Sequence, residues 1–350
     1  RPYTRPFLDE ARLRLDLEHW RAADRVLGEM AAHNLIADVI LHWRMHETSV
    51  SPEKRAADER YLRYALARFG AQPHVIWCLV NEWNYSRVPR EYWNDLGKLM
   101  RAEDPWRQNG QRPRVLSIHQ QTRPDWNFTD RDWPSHAIIQ LGVRNRGAST
   151  RIGDEWANAG REGVRFRHGD EWGNHSIVRN WTGTYPVVND EFGYIGEPQD
   201  DSEPRDADGT YRTMTREKHR HAMWGIAVGG GFASVGDKNS HGADGRPYFS
   251  ANWRDVPEYS DVRRLIDFFT VRDVEYWRMA PRNDLVAGPR AYLLAEPGRQ
   301  YLAYAAAGGA IELELAPGVY EALTFDPESG DERSLERVEG GRSHAFALPE

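Results

Sequence analysis

The feature that most limits how this chain can fold is an alternation repeated along its first 280 residues, in which short apolar runs are separated by helical stretches. Between Asp16 and Asn34 the apolar residues Leu17, Trp20, Ala23, Val26, Leu27 and Met30 recur at mostly three- and four-residue spacing, which predicts an amphipathic helix. "LIADVILHW" (35–43) then reads as a buried strand, and a second helix over about 52–69, closed by Gly70, leads to a strand at 74–81. A helix at 90–104 precedes strands at 113–120 and 135–142, and an Arg- and Trp-rich connection, partly helical over 145–182, leads to a strand at 185–191. A helix at 211–228, a glycine-rich strand at 229–237 and a helix at 259–275 complete the series. Strands that alternate with helices run parallel and are joined by crossovers. The fold class expected is therefore α/β, with six strands of a (β/α)8 TIM-type barrel over residues 1–280. Polar residues gather at the C-terminal ends of these strands: His42, Asn81 with Glu82, His119, Gln140, Glu191 and Ser234. In a barrel the site forms at that end. A doubly wound sheet would offer a phosphate-binding glycine turn, and no GxGxxG or GxxxxGK[ST] follows any of the strands.

After about Asp284 the pattern changes to short alternating segments, "AYLLAEP", "QYLAYAAA", "AIELELAP", "GVYEALTFDP" and "RSHAFALP", divided by "PG", "GG" and "SG" turns. Residues 285–350 are expected to form a small antiparallel β-sandwich packed on the barrel.

The charge excludes some partners. A net charge of −7 and a pI near 6.0 argue against nucleic acid or an anionic membrane surface, both of which select a basic face. No apolar run reaches the roughly 18 residues of a membrane span. The single Cys78 sits inside an apolar run and reads as a small buried hydrophobe, which excludes internal disulfides and any zinc site built on two cysteines. No cofactor is expected.

Two strand ends carry the chemistry. "VIWCLVNEWNY" (75–85) places Asn81, Glu82, Trp83 and Tyr85 directly after an apolar run, and "YPVVNDEFGY" (185–194) repeats the design with Asn189, Asp190, Glu191 and Tyr194. A lone carboxylate at a strand end is most simply a solvated one, but two such ends suggest a pair. Glycoside hydrolysis needs two carboxyl groups flanking one bond, one to protonate the leaving oxygen and one to attack the anomeric carbon or activate water. The 14 tryptophans and 15 tyrosines, several beside turns, fit sugar rings that stack on flat apolar faces.

"VIWCLVNEWN" and "PVVNDEFGY" resemble the fourth- and seventh-strand motifs of the large clan of retaining glycosidases built on (β/α)8 barrels. The resemblance implies that Glu82 is the acid/base, Asn81 a partner of the sugar 2-hydroxyl and Glu191 the nucleophile. More specifically, "YALARFGAQPHVIWCLVNEWN", "DPWRQNG", "HRHAMWGIAVGGGF", "DFF", "VEYWRM" and the tail from Gly298 to Gly330 are similar to the apiosidase-like bacterial glycosidase group over essentially the whole chain. Its small C-terminal domain often carries a collagen-binding label, for which residues 285–350 supply no reason. The resemblance implies a plant cell-wall or similar complex glycan as substrate and an exported protein. Two departures stand against it. A full barrel has eight strands, so the first two would precede Arg1 and the chain reads as N-terminally truncated, with exposed strand edges. At the eighth strand, where many clan members carry a tryptophan, "GGGFASVG" offers Phe232.

Other candidates are weaker. His119 and Gln140 end their strands and suit either substrate contact or structural hydrogen bonding. His42, His46 and His119 invite a metal reading, but no HExxH or bridging carboxylate cluster accompanies them, and the carboxylate route is preferred with no metal. Strand alternation lets only one of Asp190 and Glu191 face a site, and the resemblance selects Glu191. Trp83 is the best stacking ring among Trp83, Trp126, Trp172, Trp181 and Trp224, the last of which reads as core. The acidic loop 197–209 reads as solvated. The rival from another class is a carbohydrate-binding barrel without turnover.

Overall fold

The computed structural model describes residues 5–42, 50–85, 88–121, 125–140, 169–195, 215–237 and 256–349. His46, residues 145–168 and the acidic loop 197–209 lie outside these. The chain divides into two compact units, residues 1–121 with 126–138, and residues 122–125 with 139–350.

The first unit follows the alternation closely. Helix α1 (Leu17–Ala32) starts where the Asp16 carboxylate accepts from the backbone N–H groups of Glu18 and His19, and it ends where Asn34 takes a left-handed φ of 56° and Leu35 N–H returns to Met30 O. Strand β1 (Ala37–His42) pairs in parallel with β2 (Val75–Val80), which pairs in parallel with β3 (Leu116–Ser117). Helix α2 (Pro52–Phe69), capped by Ser51 and opened by a proline, connects β1 to β2. Helices α3 (Arg90–Glu103) and α4 (Pro105–Gln108) connect β2 to β3. The strand expected at 113–120 is broken at Ile118: β3 stays with β2, while β4 (His119–Gln121) leaves that sheet. Asn84 accounts for the second piece, since its side-chain amide accepts from Gln121 N–H (2.8 Å) and donates to Gln121 O (2.6 Å) as a neighbouring strand would. Strand β5 (Ala137–Gln140) ends at the boundary between the units.

In the second unit helix α5 (Gly169–Asn180) precedes β6 (Val187–Asn189) and β7 (Tyr194–Ile195), and α6 (Arg216–Val228) precedes β8 (Phe232–Ala233) and β9 (Gly236–Asp237). β6 pairs in parallel with β8, and β7 with β9. The glycine-rich run expected as a strand from 229 instead ends α6, where Gly230 adopts a φ of 83°, and only its later residues are extended. α5 and α6 touch backbone to backbone: a Cβ added at Gly173 would lie 2.7 Å from Ala222 O, and one at Gly225 2.6 Å from Asp170 O. Helix α7 (Pro257–Val271) then leads to antiparallel strands. β10 (Ala280–Pro281), β12 (Ala291–Glu296) and β13 (Gln300–Ala305) form one sheet, and β11 (Val286–Ala287), β14 (Gly309–Leu315) and β19 (Arg342–Leu348) another. β15 (Val319–Tyr320) pairs with β18 (Val338–Glu339), and β16 (Leu323–Phe325) with β17 (Glu332–Ser334). Trp224 and Val228 of α6, Phe268 of α7, and Met279, Leu294 and Tyr304 share one buried cluster, so these strands belong to the same unit as the helices before them.

Among the described residues, three buried carboxylates are matched by facing cations. Asp58 on α2 is fully buried and meets Arg12 (2.6 Å), Lys54 (3.2 Å), His42 Nε2 (3.6 Å) and the hydroxyl of Tyr92. Burial alone would raise its pKa, but the imidazole, guanidinium and phenol facing it win and hold it well below the usual carboxylate range. In the second unit Arg216 grips Asp261 through two 2.8 Å bonds with Arg264 and Arg220 alongside, and Arg290 with Tyr292 holds buried Asp170. A carboxylate buried without such partners would cost several kcal/mol.

Candidate active site

In the first unit the site grows from the end of β2. Val80 closes the strand, Asn81 N–H still donates to His42 O of β1 (2.9 Å), and the chain then turns at Glu82 with a φ of 50°. A left-handed conformation is rare for a residue with a side chain and costs of order 1–3 kcal/mol, so the surroundings must hold it. They do: Glu82 is only 1% exposed, and a 3-10 turn over Trp83–Tyr85 follows at once, with Tyr85 N–H on Glu82 O (2.9 Å).

β4 completes the arrangement. His119 is buried, with Nδ1 2.6 Å from Asn81 Oδ1 and 3.3 Å from Glu82 N. The shorter contact has a carboxamide oxygen as acceptor, so the proton sits on Nδ1 and the ring cannot also accept from Glu82 through the same nitrogen. Nε2 is then the basic atom of the ring. Gln120, on the opposite face of β4, accepts from Trp83 Nε1 (3.3 Å) and from Asn127 N–H (3.0 Å). Trp83 is thereby fixed, 7% exposed and edge-on to Phe128 at 5.3 Å. Asn81, Glu82 and His119, three residues singled out in the sequence, thus converge in one unit, whereas the Trp83 ring expected to stack on sugar is buried and directed to Gln120 on the opposite face of β4.

His42 is placed differently. Its Nδ1 donates to Leu79 O (3.0 Å) and its Nε2 faces Asp58, so both ring nitrogens are directed at protein groups. Within the second unit Gln140 is buried at the end of β5, and Asp190 and Glu191 follow the last residue of β6, with Asp190 N–H on Ile139 O (3.2 Å). Tyr194 lies on β7, its side chain outside the described residues. The ring of Phe192, next to Glu191, lies tilted 4.9 Å from that of His219, whose pKa burial pushes down to about 4. Trp126 and Trp172 are buried, and Trp224 lies in the core cluster. Sequence reading passed over Gln120 and Asn84 because amides carry no chemistry of their own; an amide repeated at 120 and 121 after His119 was the one available signal.

Among the described residues, no group of three or more His, Cys, Asp or Glu side chains could hold a metal ion, and no helix is long and apolar enough to cross a membrane. Among the described residues, a cavity of about 430 Å3 is lined by Lys98, Arg101 and Trp133 and one of about 530 Å3 by Arg216, His221 and Tyr304; neither lining includes a sequence-predicted site residue.

Comparison with known proteins gives the family and the fold class. The model of the family described as "Apiosidase-like, catalytic domain" matches residues 3–237. Among solved structures, a glycoside hydrolase family 5 protein from Bacteroides vulgatus superposes with a TM-score of 0.68 at 15% identity, over 95% of this chain and 72% of that one. A second structure, named as a glycoside hydrolase, superposes with a TM-score of 0.69 at 16% identity, over 95% of this chain and 74% of its own. At these identities the likeness shows the fold alone, α/β with parallel strands. No curated protein matches the chain. With two thirds of its length matched by the family model, including the strand ends that carry Glu82 and Glu191, this chain belongs to the apiosidase-like family and is a glycoside hydrolase.

Proposed function

We propose that this glycoside hydrolase acts with retention on a plant cell-wall or similarly complex glycan, with Glu82 as acid and then base and Glu191 as nucleophile. The observation that carries the reading is the buried Asn81–Glu82–His119 constellation at the end of β2, where Glu82 is buried on a left-handed backbone whose N–H lies 3.3 Å from the imidazole that holds Asn81. In the first step the Glu191 carboxylate forms a bond to the anomeric carbon while the glycosidic C–O bond breaks and Glu82 gives its proton to the leaving oxygen. In the second, Glu82 takes a proton from water, whose oxygen replaces Glu191 at the same carbon. The carboxamide of Asn81, held by His119, is suited to the hydroxyl next to that carbon. The reading includes a (β/α)8 TIM-type barrel for the strands up to β9, a β-sandwich for residues 285–350 and a place of action outside the cytoplasm.

Hydrolysis of a panel of aryl glycosides and plant oligosaccharides tests this, with the anomer released first followed by proton NMR. Retention is expected, together with loss of turnover in Glu82→Gln and Glu191→Gln while sugar binding survives. A crystal structure should place the two carboxyl groups about 5–5.5 Å apart, whereas about 6.5–9.5 Å and an inverted first product would replace the nucleophile by an activated water. A parent chain that binds sugars and turns none over would instead be a carbohydrate-binding barrel.

A further inference from the structure

Gln121 is the last residue of β4, fully buried, and neither Oε1 nor Nε2 of its amide has a hydrogen-bond partner. A buried amide left unmatched costs about 1–3 kcal/mol for each lost group, and such atoms in a folded protein call for an explanation. Loose placement does not provide one. The backbone of Gln121 is clamped on both its N–H and its C=O by Asn84, one residue beyond Trp83, so the direction of the side chain is set. Alternation along β4 sends His119 and Gln121 to one face and Gln120 to the other. The hydrogen bonds agree for the first two: His119 reaches Asn81, whereas Gln120 reaches Trp83 and Asn127. Gln121 therefore stands one strand step beyond His119 on the face that meets Asn81 and Glu82.

We infer that Gln121 is a substrate-positioning residue, whose amide is completed by hydroxyl groups of the sugar that Glu82 serves. A carboxamide offers a donor and an acceptor side by side, and a hydroxyl both donates and accepts, so two neighbouring hydroxyls of one ring can match it. This inference rests on the glycosidase reading above and adds to it a specificity contact on β4.

The test compares the parent chain with Gln121→Met, which keeps length and volume without polar atoms, and Gln121→Glu, which keeps the shape but loses the donor. Turnover is measured on the same glycoside panel, with thermal midpoints for all three proteins and sugar binding measured by calorimetry in a Glu82→Gln background. Gln121→Met is expected to melt at or above the parent, since an unmatched amide has gone, yet to lose about 10- to 100-fold in kcat/KM. Deoxy sugars lacking the contacted hydroxyl should be turned over by parent and variant alike. An active parent with equal kcat/KM in both variants would overturn this inference and leave the glycosidase reading intact. A parent that neither binds nor hydrolyses any sugar would overturn both. If Gln121→Met melts far below the parent, the amide has a structural role in the fold, and the inference falls.

Discussion

The strand ends of the first unit and the strands after residue 285 bury opposite kinds of side chain. At the ends of β1, β2 and β4 the buried residues include His42, Asn81, Glu82, His119, Gln120 and Gln121. In β12 and β14 they are Leu293, Leu294, Ala295, Ile311, Leu313 and Leu315, and among the described residues from 285 to 349 no polar or charged side chain is buried. Burying apolar area stabilises at about 25 cal/mol per Å2, while a buried polar pair contributes only about 0.5–1.5 kcal/mol once its hydrogen bond is made and costs when it is not. The C-terminal strands are thus built for stability. The strand ends of the first unit forgo part of it, and their polar groups are held by hydrogen bonds, as His42 is by Leu79 O and His119 by Asn81.

The comparison is broken or sharpened by four substitutions and two acid titrations. Glu82→Gln should lower kcat by about 10²- to 10⁴-fold, and circular dichroism should find the fold intact. Ile311→Ala should do the reverse, costing about 2–5 kcal/mol of stability in urea titration while leaving kcat/KM of the folded fraction unchanged. Were Ile311→Ala to remove activity without lowering stability, the C-terminal strands would share the site and the contrast would fail.

Acid should act next. The unfolded chain protonates His219 near its ordinary pKa of 6.5, but the folded chain refuses that proton until about pH 4. Between those values the unfolded state binds more protons, so stability falls as pH drops through the window, by up to about 3 kcal/mol. His219→Leu should flatten that dependence in pH-dependent urea unfolding. Asp58 acts in a lower window: its folded pKa is depressed, so its contribution is present above the ordinary value of 3.8 and is lost as pH falls further. The smallest effect is expected at Val319, 69% exposed on β15, where Val319→Ser should change stability by less than about 0.5 kcal/mol.

Much of the fold was legible because its signals are local. The spacing of Leu17, Trp20 and Leu27, the Ser51–Pro52 start and the Gly70 stop placed α1 and α2 to within two residues. The apolar run from Val75 placed β2 together with the polar turn that follows it. What misled was also local: a single apolar run at 113–120 hides the change of partner at Ile118, and glycines that looked extended instead end α6.

The sequence by itself determined the alternation of strands and helices, the change of pattern near Asp284 and the two strand ends that carry Glu82 and Glu191. Only the tertiary structure decided which polar residues serve the fold and which the site. His42 and His119 look alike in sequence, each ending a strand, yet one faces Leu79 O and Asp58 and the other holds Asn81 beside Glu82. The partners that separate them lie 16 to 38 residues away along the chain. Side-chain hydrogen bonds of that span leave no periodic trace, because they are fixed by which strands become neighbours and not by the order of residues within one.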